Sequence, residues 1–344
     1  RGVPSIVCMH YDRGPTSSEH FRLVLGFDLA TGEIIYHEPA QDQGAYKRMP
    51  AARFLELWPL KYRSDRWTVI RFALEPGRID VGARPAGVTP AALAQHVMKT
   101  KKKIPAGFAT RIAGPFFVIG DESPARVEHY AQTIDWTVEH LKKDFHMHEP
   151  ANVIDVWLLG SNDSYVYNSL RLFGERPTTP YGFFSTRHQA LFMNIGTGGG
   201  TLVHEVVHPF IAASFPSVPA WFNEGLASLY EAVRESHGQL WGLPNWRLDG
   251  LKRAIRAGKL QSFESMTSDS DSAFYASNTG YAQARYLCLY LQEKGLLHRY
   301  YDQFVASATS DPTGYKTLVR VLGDPDMPRF EKQWRDWALS LETD

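Results

Sequence analysis

Cysteine is almost absent from this sequence of 344 residues, which contains only Cys8 and Cys288. These two are too few and too far apart for a disulfide framework or a thiolate metal cluster. Long hydrophobic runs are also missing, since no stretch approaches the roughly 20 apolar residues that span a bilayer. Neither sign of charge predominates, because 37 basic residues stand against 37 acidic ones. The sequence therefore predicts no transmembrane segment and no broad basic surface for nucleic acid.

The sequence does contain enough apolar residues for more than one hydrophobic core. Hydrophobic residues make up 44% of the chain and charged residues 22%, as in folded globular proteins. At about 150 residues per domain, the length predicts two domains. A stretch with several prolines and glycines and the run Lys101-Lys102-Lys103 predicts a linker at 76–110, between domains at 1–75 and 111–344.

The start of the chain carries little information about the cellular compartment of the protein. The sequence begins with Arg1 rather than Met and shows no signal peptide. We interpret it as a cropped or processed chain, leave the compartment open and favour a secreted or periplasmic one. The oligomeric state is not predicted.

Residues 1–75 are rich in strand signals. Strand-like runs cover 5–11, 21–28, 33–37 and 66–74, and a short helix is predicted at 50–57. This order resembles the C-terminal half of papain-like peptidases that process bacteriocin leaders, through the segments His20–Gly26, His37-Glu38-Pro39 and Phe54–Trp58. In that family an upstream cysteine on a helix meets the histidine, here His20, whose ring an acid orients. Cys8 falls in a predicted strand instead, so an ordinary strand-end histidine stays open as the alternative for His20.

From residue 111 onward the pattern changes to mixed helices and strands. Ser123 and Pro124 predict the start of a helix whose apolar stripe continues to Phe145. Strands are predicted at 116–120, 153–159, 181–185 and 189–195, the last two as a hairpin, and a further helix at 163–173. Gly198-Gly199-Gly200 lacks the Gly-Lys-Ser/Thr of a phosphate-binding loop and is interpreted as a strand-to-helix turn.

The next predicted helix carries the sequence His204-Glu205-Val206-Val207-His208. Two histidines four residues apart lie on one face of a helix, so both imidazoles reach a single metal ion. Glu205 lies about 100° further round the helix, where it faces a water on that metal. A polar stripe on a helix is the alternative interpretation.

A second segment supplies a candidate third ligand, Glu224, within Asn223-Glu224-Gly225-Leu226-Ala227. The H-E-x-x-H and N-E-G-L-A segments together resemble the gluzincin metallopeptidases with a thermolysin-like core, over about residues 111–305. The resemblance implies one zinc ion held by His204, His208 and Glu224, with Glu205 as general base. We expect Glu224 in the first turn of an antiparallel helix. A solvated helix-start acid is the alternative for Glu224, and Glu231 is the back-up ligand.

Gluzincins also use a tyrosine or histidine to stabilise the tetrahedral intermediate. The resemblance points to Tyr281, at the start of a strongly apolar helix, with Tyr275 as the second choice.

The chain departs from the family in two places. Pro209 follows the second histidine and should kink the helix. Ser228 and Leu229 occupy the region where thermolysin has an aspartate that orients a ligand histidine, so the orienting group is not identified.

We therefore expect an α+β protein with a small antiparallel, partly papain-like N-terminal domain and a zincin-type metallopeptidase domain. In the latter, residues 111–214 form a mixed sheet with the active-site helix and 215–344 a helical lobe. The expected activity is zinc-dependent hydrolysis of a peptide or protein substrate docked on an edge strand at 189–195. A non-catalytic peptide-binding module and a cysteine peptidase acting through the N-terminal domain are the alternatives.

Overall fold

A computed structural model describes residues 5–14, 17–59, 66–71, 87–177, 179–185, 187–323 and 326–342. The chain divides into two compact units, Arg1–Arg84 and Pro85–Asp344. Both combine strands and helices, so the α+β class predicted from the sequence is confirmed. In the described part of the chain, no helix is both long and apolar enough to cross a membrane.

The first unit is an antiparallel sheet covered by one short helix. Its elements are β1 (Ser5–His10), β2 (Glu19–Asp28), β3 (Glu33–His37), β4 (Lys47–Pro50), α1 (Ala51–Leu57) and β5 (Thr68–Arg71). The strand order is β4-β3-β2-β1-β5, and every described pairing is antiparallel. Val7 and Met9 on β1 pack against Phe54 and Leu57 on α1, which gives the unit its own small core.

The second unit is built on a mixed five-stranded sheet. Its strands are β6 (Ala109–Ala113), β7 (Phe116–Gly120), β8 (Ile154–Leu159), β9 (Gly182–Ser185) and β10 (Ala190–Asn194), in the order β6-β7-β8-β10-β9. The three central strands are parallel, and both outer strands are antiparallel to their neighbours. All residues of β7 and β10 are buried, because helices or loops cover both faces of the sheet.

Two expectations for this unit differ from the structure. The hairpin of 181–185 and 189–195 forms, but β10 is an inner strand and β9 is the edge, so the prediction that 189–195 is the edge strand is wrong. The expected linker 76–110 contains the helix α2 (Pro90–Lys101) and the start of β6, while residues 72–86 lie outside the described part. Leu93 and Val97 on α2 pack against the hydrophobic cluster that contains Trp157. The segment forms a packed helix because it has apolar residues to bury.

Helices make up most of the remainder. The elements are α3 (Pro124–Phe145), α4 (Asn162–Asn168) with a π-helical turn (Ser169–Phe173), a 3₁₀ turn (Ile195–Thr197), α5 (Gly200–Ser214), α6 (Ala220–Leu229), the hairpin β11 (Val233–Ser236) and β12 (Gln239–Gly242), α7 (Arg247–Arg256), α8 (Phe263–Ser268), α9 (Asp271–Ala276), α10 (Gly280–Glu293), α11 (Leu297–Ser307), α12 (Tyr315–Leu322) and α13 (Met327–Ser340). One hydrophobic core joins the sheet to α3, α5, α6 and α10. The candidate site lies on α5 and α6.

Candidate metal centre

The two histidines of the His-Glu-x-x-His segment lie one turn apart on α5, as the spacing predicts. Their ring centroids are 4.8 Å apart in an edge-to-face arrangement. The helix is fixed in place because its opposite, apolar face is buried in the core through Leu202, Val206 and Phe210. Pro209 lies inside α5, which continues beyond it to Ser214.

Glu224 comes to the same place on α6. It is the fifth residue of that helix, so the expectation that it lies in the first turn is wrong. Its side chain is 8% exposed, which removes the alternative of a solvated helix-start acid. The glycine that follows it allows α6 and α10 to pack closely, because a Cβ on Gly225 would lie 3.1 Å from the Ala284 carbonyl oxygen.

Both ends of α6 are held by side chains from neighbouring helices. At its N-terminus, the Ala220 amide donates a hydrogen bond to the Asp271 carboxylate over 3.2 Å. At its C-terminus, the fully buried Arg285 guanidinium donates to the Ser228 and Leu229 carbonyl oxygens. These contacts satisfy helix-end groups that otherwise lack partners, and they fix the position of Glu224.

One nitrogen of each histidine and one oxygen of Glu224 converge. Glu224 Oε2 lies 3.3 Å from His204 Nε2 and 3.8 Å from His208 Nε2. The three atoms all lie within 4.8 Å of one another. Glu224 Oε2 is buried and has no hydrogen-bond partner.

The other nitrogen of each histidine faces a different acceptor. His208 Nδ1 donates to Asn223 Oδ1 over 2.9 Å, and His204 Nδ1 lies 3.3 Å from Glu231 Oε1 in an ion-pair contact. Nε2 of each ring is therefore directed at the convergence point, and Nδ1 faces an acceptor on the outer side. Glu231, predicted as a back-up ligand, lies outside the group of three and contacts the outer side of His204.

Glu231 is itself held from several sides. Arg247 donates to both of its carboxylate oxygens, over 2.7 and 3.0 Å, and Asn245 Nδ2 donates to Oε2 over 2.9 Å. The backbone of Glu231 can approach the start of α5 because residue 200 is glycine, where a Cβ would lie 2.3 Å from the Glu231 carbonyl oxygen. Glu231 thus contacts His204 on the side away from the convergence point, a contact that the sequence did not identify.

The buried carboxylates change the proton affinity of His204. Burial alone lowers the pKa of His204, but the Glu224 and Glu231 carboxylates outweigh it and raise that pKa to about 10. Burial opposes ionisation of Glu231 as well, yet His204 and Arg247 lower its pKa to about 2. Without a metal, His204 is therefore an imidazolium between two carboxylates at neutral pH.

Two cavities meet at this group of residues. The first cavity measures about 450 Å³ and is lined by Thr179, Tyr181, Gly182, Thr197, Gly198, Gly200, Thr201, His204, Glu205, Glu231, Ala232, Asn245, Trp246, Arg247 and Tyr281. The second cavity measures about 670 Å³ and is lined by Pro150, Ala151, Ile154, Phe184, Gln189, Leu191, His204, Glu205, His208, Pro209, Ala212, Ala213, Pro216, Val218, Asn223, Glu224, Tyr275 and Tyr281. Only His204, Glu205 and Tyr281 line both.

The two candidate tyrosines occupy different positions. Tyr281 lies between the cavities, whereas the Tyr275 hydroxyl donates to Glu224 Oε1 over 3.1 Å. Burial, followed by the negative charge of Glu224, raises the pKa of both phenols well above the usual range. Both hydroxyl groups are therefore protonated and able to donate at neutral pH.

The N-terminal unit brings His20 and Glu38 together but not Cys8. His20 Nε2 contacts Glu38 Oε1, and Arg22 Nε donates to the other oxygen over 2.8 Å. On the neighbouring strand, Met9 is the residue opposite His20 and Cys8 is opposite Phe21. Since successive residues of a strand point to opposite faces, the Cys8 thiol lies on the other side of the sheet from His20. Burial, with the charge of Glu19, also raises the pKa of that thiol.

A scan against protein-family models finds no match to this chain, and a search of curated proteins finds none either. The arrangement of side chains on α5 and α6 is therefore the basis on which a function is assigned.

Proposed function

We propose that residues 111–344 form a gluzincin-like zinc peptidase that hydrolyses peptide bonds with Glu205 as general base. The observation that carries the proposal is the convergence of His204 Nε2, His208 Nε2 and Glu224 Oε2 within 4.8 Å. Two neighbouring cavities provide room for a substrate on both sides of this point.

The donor set fits zinc. Two histidines and one glutamate form the ligand set of catalytic zinc sites that keep one position open. With bonds of about 2.0–2.1 Å, the ligand atoms of a tetrahedral zinc site lie about 3.3 Å apart, and His204 Nε2 lies 3.3 Å from Glu224 Oε2. Glu224 Oε2 is buried and accepts no hydrogen bond, and a zinc ion would replace the proton of His204 as the positive charge beside it.

A zinc ion held by these three residues would polarise the scissile carbonyl and make water a better nucleophile. Glu205 accepts the proton of the attacking water and passes it to the leaving amine. In the described part of the chain, no residue donates a hydrogen bond to Glu205 or pairs with it, so its carboxylate is free for this exchange. Tyr281, protonated and next to both cavities, donates to the oxyanion that develops on the carbonyl.

The edge strand β9 gives an extended peptide a surface to bind. Its neighbour β10 covers one side, and no described strand pairs with the other. Gly182 on β9 lines the first cavity and Phe184 lines the second, so a peptide added alongside would cross the point between them. Backbone hydrogen bonds to a sheet edge suit peptides of varied sequence.

The metal assignment predicts that the purified protein binds one equivalent of zinc. The double variant His204→Ala/His208→Ala is expected to bind none, because two of three ligands are gone. Elemental analysis after zinc loading and desalting measures this. The matched control is His129→Ala/His148→Ala, which removes two exposed histidines outside the site. Zinc retained at one equivalent in the first double variant would overturn the assignment.

Cys8→Ser is expected to leave peptide hydrolysis unchanged. The thiol lies on the opposite sheet face from His20 and is buried, so no described base can activate it. Rates of hydrolysis for the variant and the unsubstituted protein, measured at the same zinc content, test this. Loss of activity with zinc still bound would restore the cysteine-peptidase alternative.

A further inference from the structure

We propose that Tyr275 is a positioning residue that restricts Glu224 to metal coordination through one oxygen. This inference rests on the proposed function. The two oxygens of Glu224 have different partners: Oε1 accepts a hydrogen bond from the Tyr275 hydroxyl over 3.1 Å, while Oε2 faces both histidines and accepts none. Tyr275 thus holds Oε1 of Glu224, and Oε2 remains available to bind a metal ion.

The position of Tyr275 is fixed by a second contact one helical turn away. Asp271 on α9 accepts a hydrogen bond from the first amide of α6, that of Ala220, over 3.2 Å. Tyr275 is four residues after Asp271, and Glu224 is four residues after Ala220. Because residues four apart lie on one face of a helix, the two contacts set the register between α9 and α6.

Phe274, the residue before Tyr275, limits the movement of α9. Phe274 is 1% exposed and lies so close to the start of α10 that a Cβ on Gly280 would come within 3.1 Å of its ring. The α9 helix therefore cannot shift toward α10 without a clash, and the Tyr275 hydroxyl stays within reach of Glu224.

The consequence concerns the number of metal positions that the protein fills. A carboxylate that binds through both oxygens occupies two positions, whereas a catalytic site with three protein ligands requires one position for water or substrate. By engaging Oε1, Tyr275 keeps that position open. Tyr281 makes no hydrogen bond to Glu224 and lies beside both cavities, so the two tyrosines have separate tasks.

The test replaces Tyr275 by phenylalanine in the full chain and loads it with Co²⁺, whose visible absorption weakens as its coordination number rises. Tyr275→Phe keeps the half-exposed ring and removes only the hydroxyl. We expect one equivalent of Co²⁺ in both proteins and a weaker visible band in the variant, as Oε1 joins the metal. With zinc, kcat is expected to fall about tenfold with little change in KM, as for one lost hydrogen bond.

Tyr281→Phe is the matched control for the spectrum, because it also removes one phenolic hydroxyl but does not touch Glu224. Its Co²⁺ spectrum is expected to equal that of the unsubstituted protein, while its kcat falls. An unchanged spectrum in Tyr275→Phe would overturn the positioning role and leave the proposed function standing. Failure of the unsubstituted protein to bind Co²⁺ or zinc would overturn the metal site itself, and this inference with it.

Discussion

Replacing Glu205 by glutamine is expected to reduce peptide hydrolysis by about 100- to 10,000-fold, the usual cost of losing a general base. Zinc content is expected to remain at one equivalent. Hydrolysis is lost while zinc binding remains because Glu205 is not part of the convergent group of His204, His208 and Glu224. It lines both cavities next to that group. Glutamine keeps the shape of the side chain and loses only its ability to accept a proton.

Glu139→Gln is the matched control, since Glu139 is exposed on α3 and far along the chain from the site. Both variants are to be assayed for peptide turnover and zinc content in the same preparation. Near-normal turnover by Glu205→Gln with zinc bound would show that the base is another group. If the unsubstituted protein binds zinc and peptides without cutting them, the non-catalytic binding module is the correct function.

The local part of the site follows from the sequence alone. His204 and His208 must lie on one face of any helix that contains both, because four residues make slightly more than one turn. Glu224 is a different case, since 16 residues separate it from His208 and only the packing of α6 on α5 and α10 brings it there. No periodic pattern in the sequence predicts that packing, so Glu224 is predicted as a ligand only through the family resemblance.

The groups around the ligands depend on contacts that are distant in sequence. Glu231 reaches His204 because Gly200 lets two backbone segments approach and because Arg247, beyond a hairpin, holds its carboxylate. Tyr275 reaches Glu224 from a helix 51 residues away. A sequence shows that such residues are polar or aromatic, but not which partner each will meet.

In the fold, too, local features can be predicted from the sequence, whereas contacts between distant segments cannot. Strands β3 and β7 and the long helix α3 have the predicted bounds, because a turn, a short apolar run, the Ser123 cap and an apolar stripe are local signals. The order of strands in a sheet is not a local property, so the sequence predicts an edge strand at 189–195 where the structure has the inner strand β10. The proline-rich and lysine-rich flanks of helix α2 predict a linker, because they resemble the sequence of a solvated connecting segment.

The affinity for zinc is expected to rise about tenfold for each pH unit between about pH 7 and pH 9, because a ligand must lose its proton before it binds metal. In the metal-free protein the Glu224 and Glu231 carboxylates raise the pKa of His204 to about 10, against the opposing effect of burial. Below that pKa, most molecules carry a protonated His204. A raised pKa keeps the proton in place at low pH, so affinity increases as pH rises.

Competition with a chelator of known pH dependence measures this affinity, and Glu231→Gln provides the decisive comparison. Removing one of the three negative charges that raise the pKa of His204, those of Glu224, Glu231 and Glu205, lowers that pKa, so the variant's affinity should stop rising at a lower pH than that of the unsubstituted protein. At neutral pH, losing the partner of a ligand histidine typically weakens metal binding by about 10- to 100-fold, and the weaker competition from the proton offsets part of that loss. An affinity that stays constant between about pH 7 and pH 9 in the unsubstituted protein would show that His204 is already neutral at pH 7, so that the carboxylates beside it do not hold its proton.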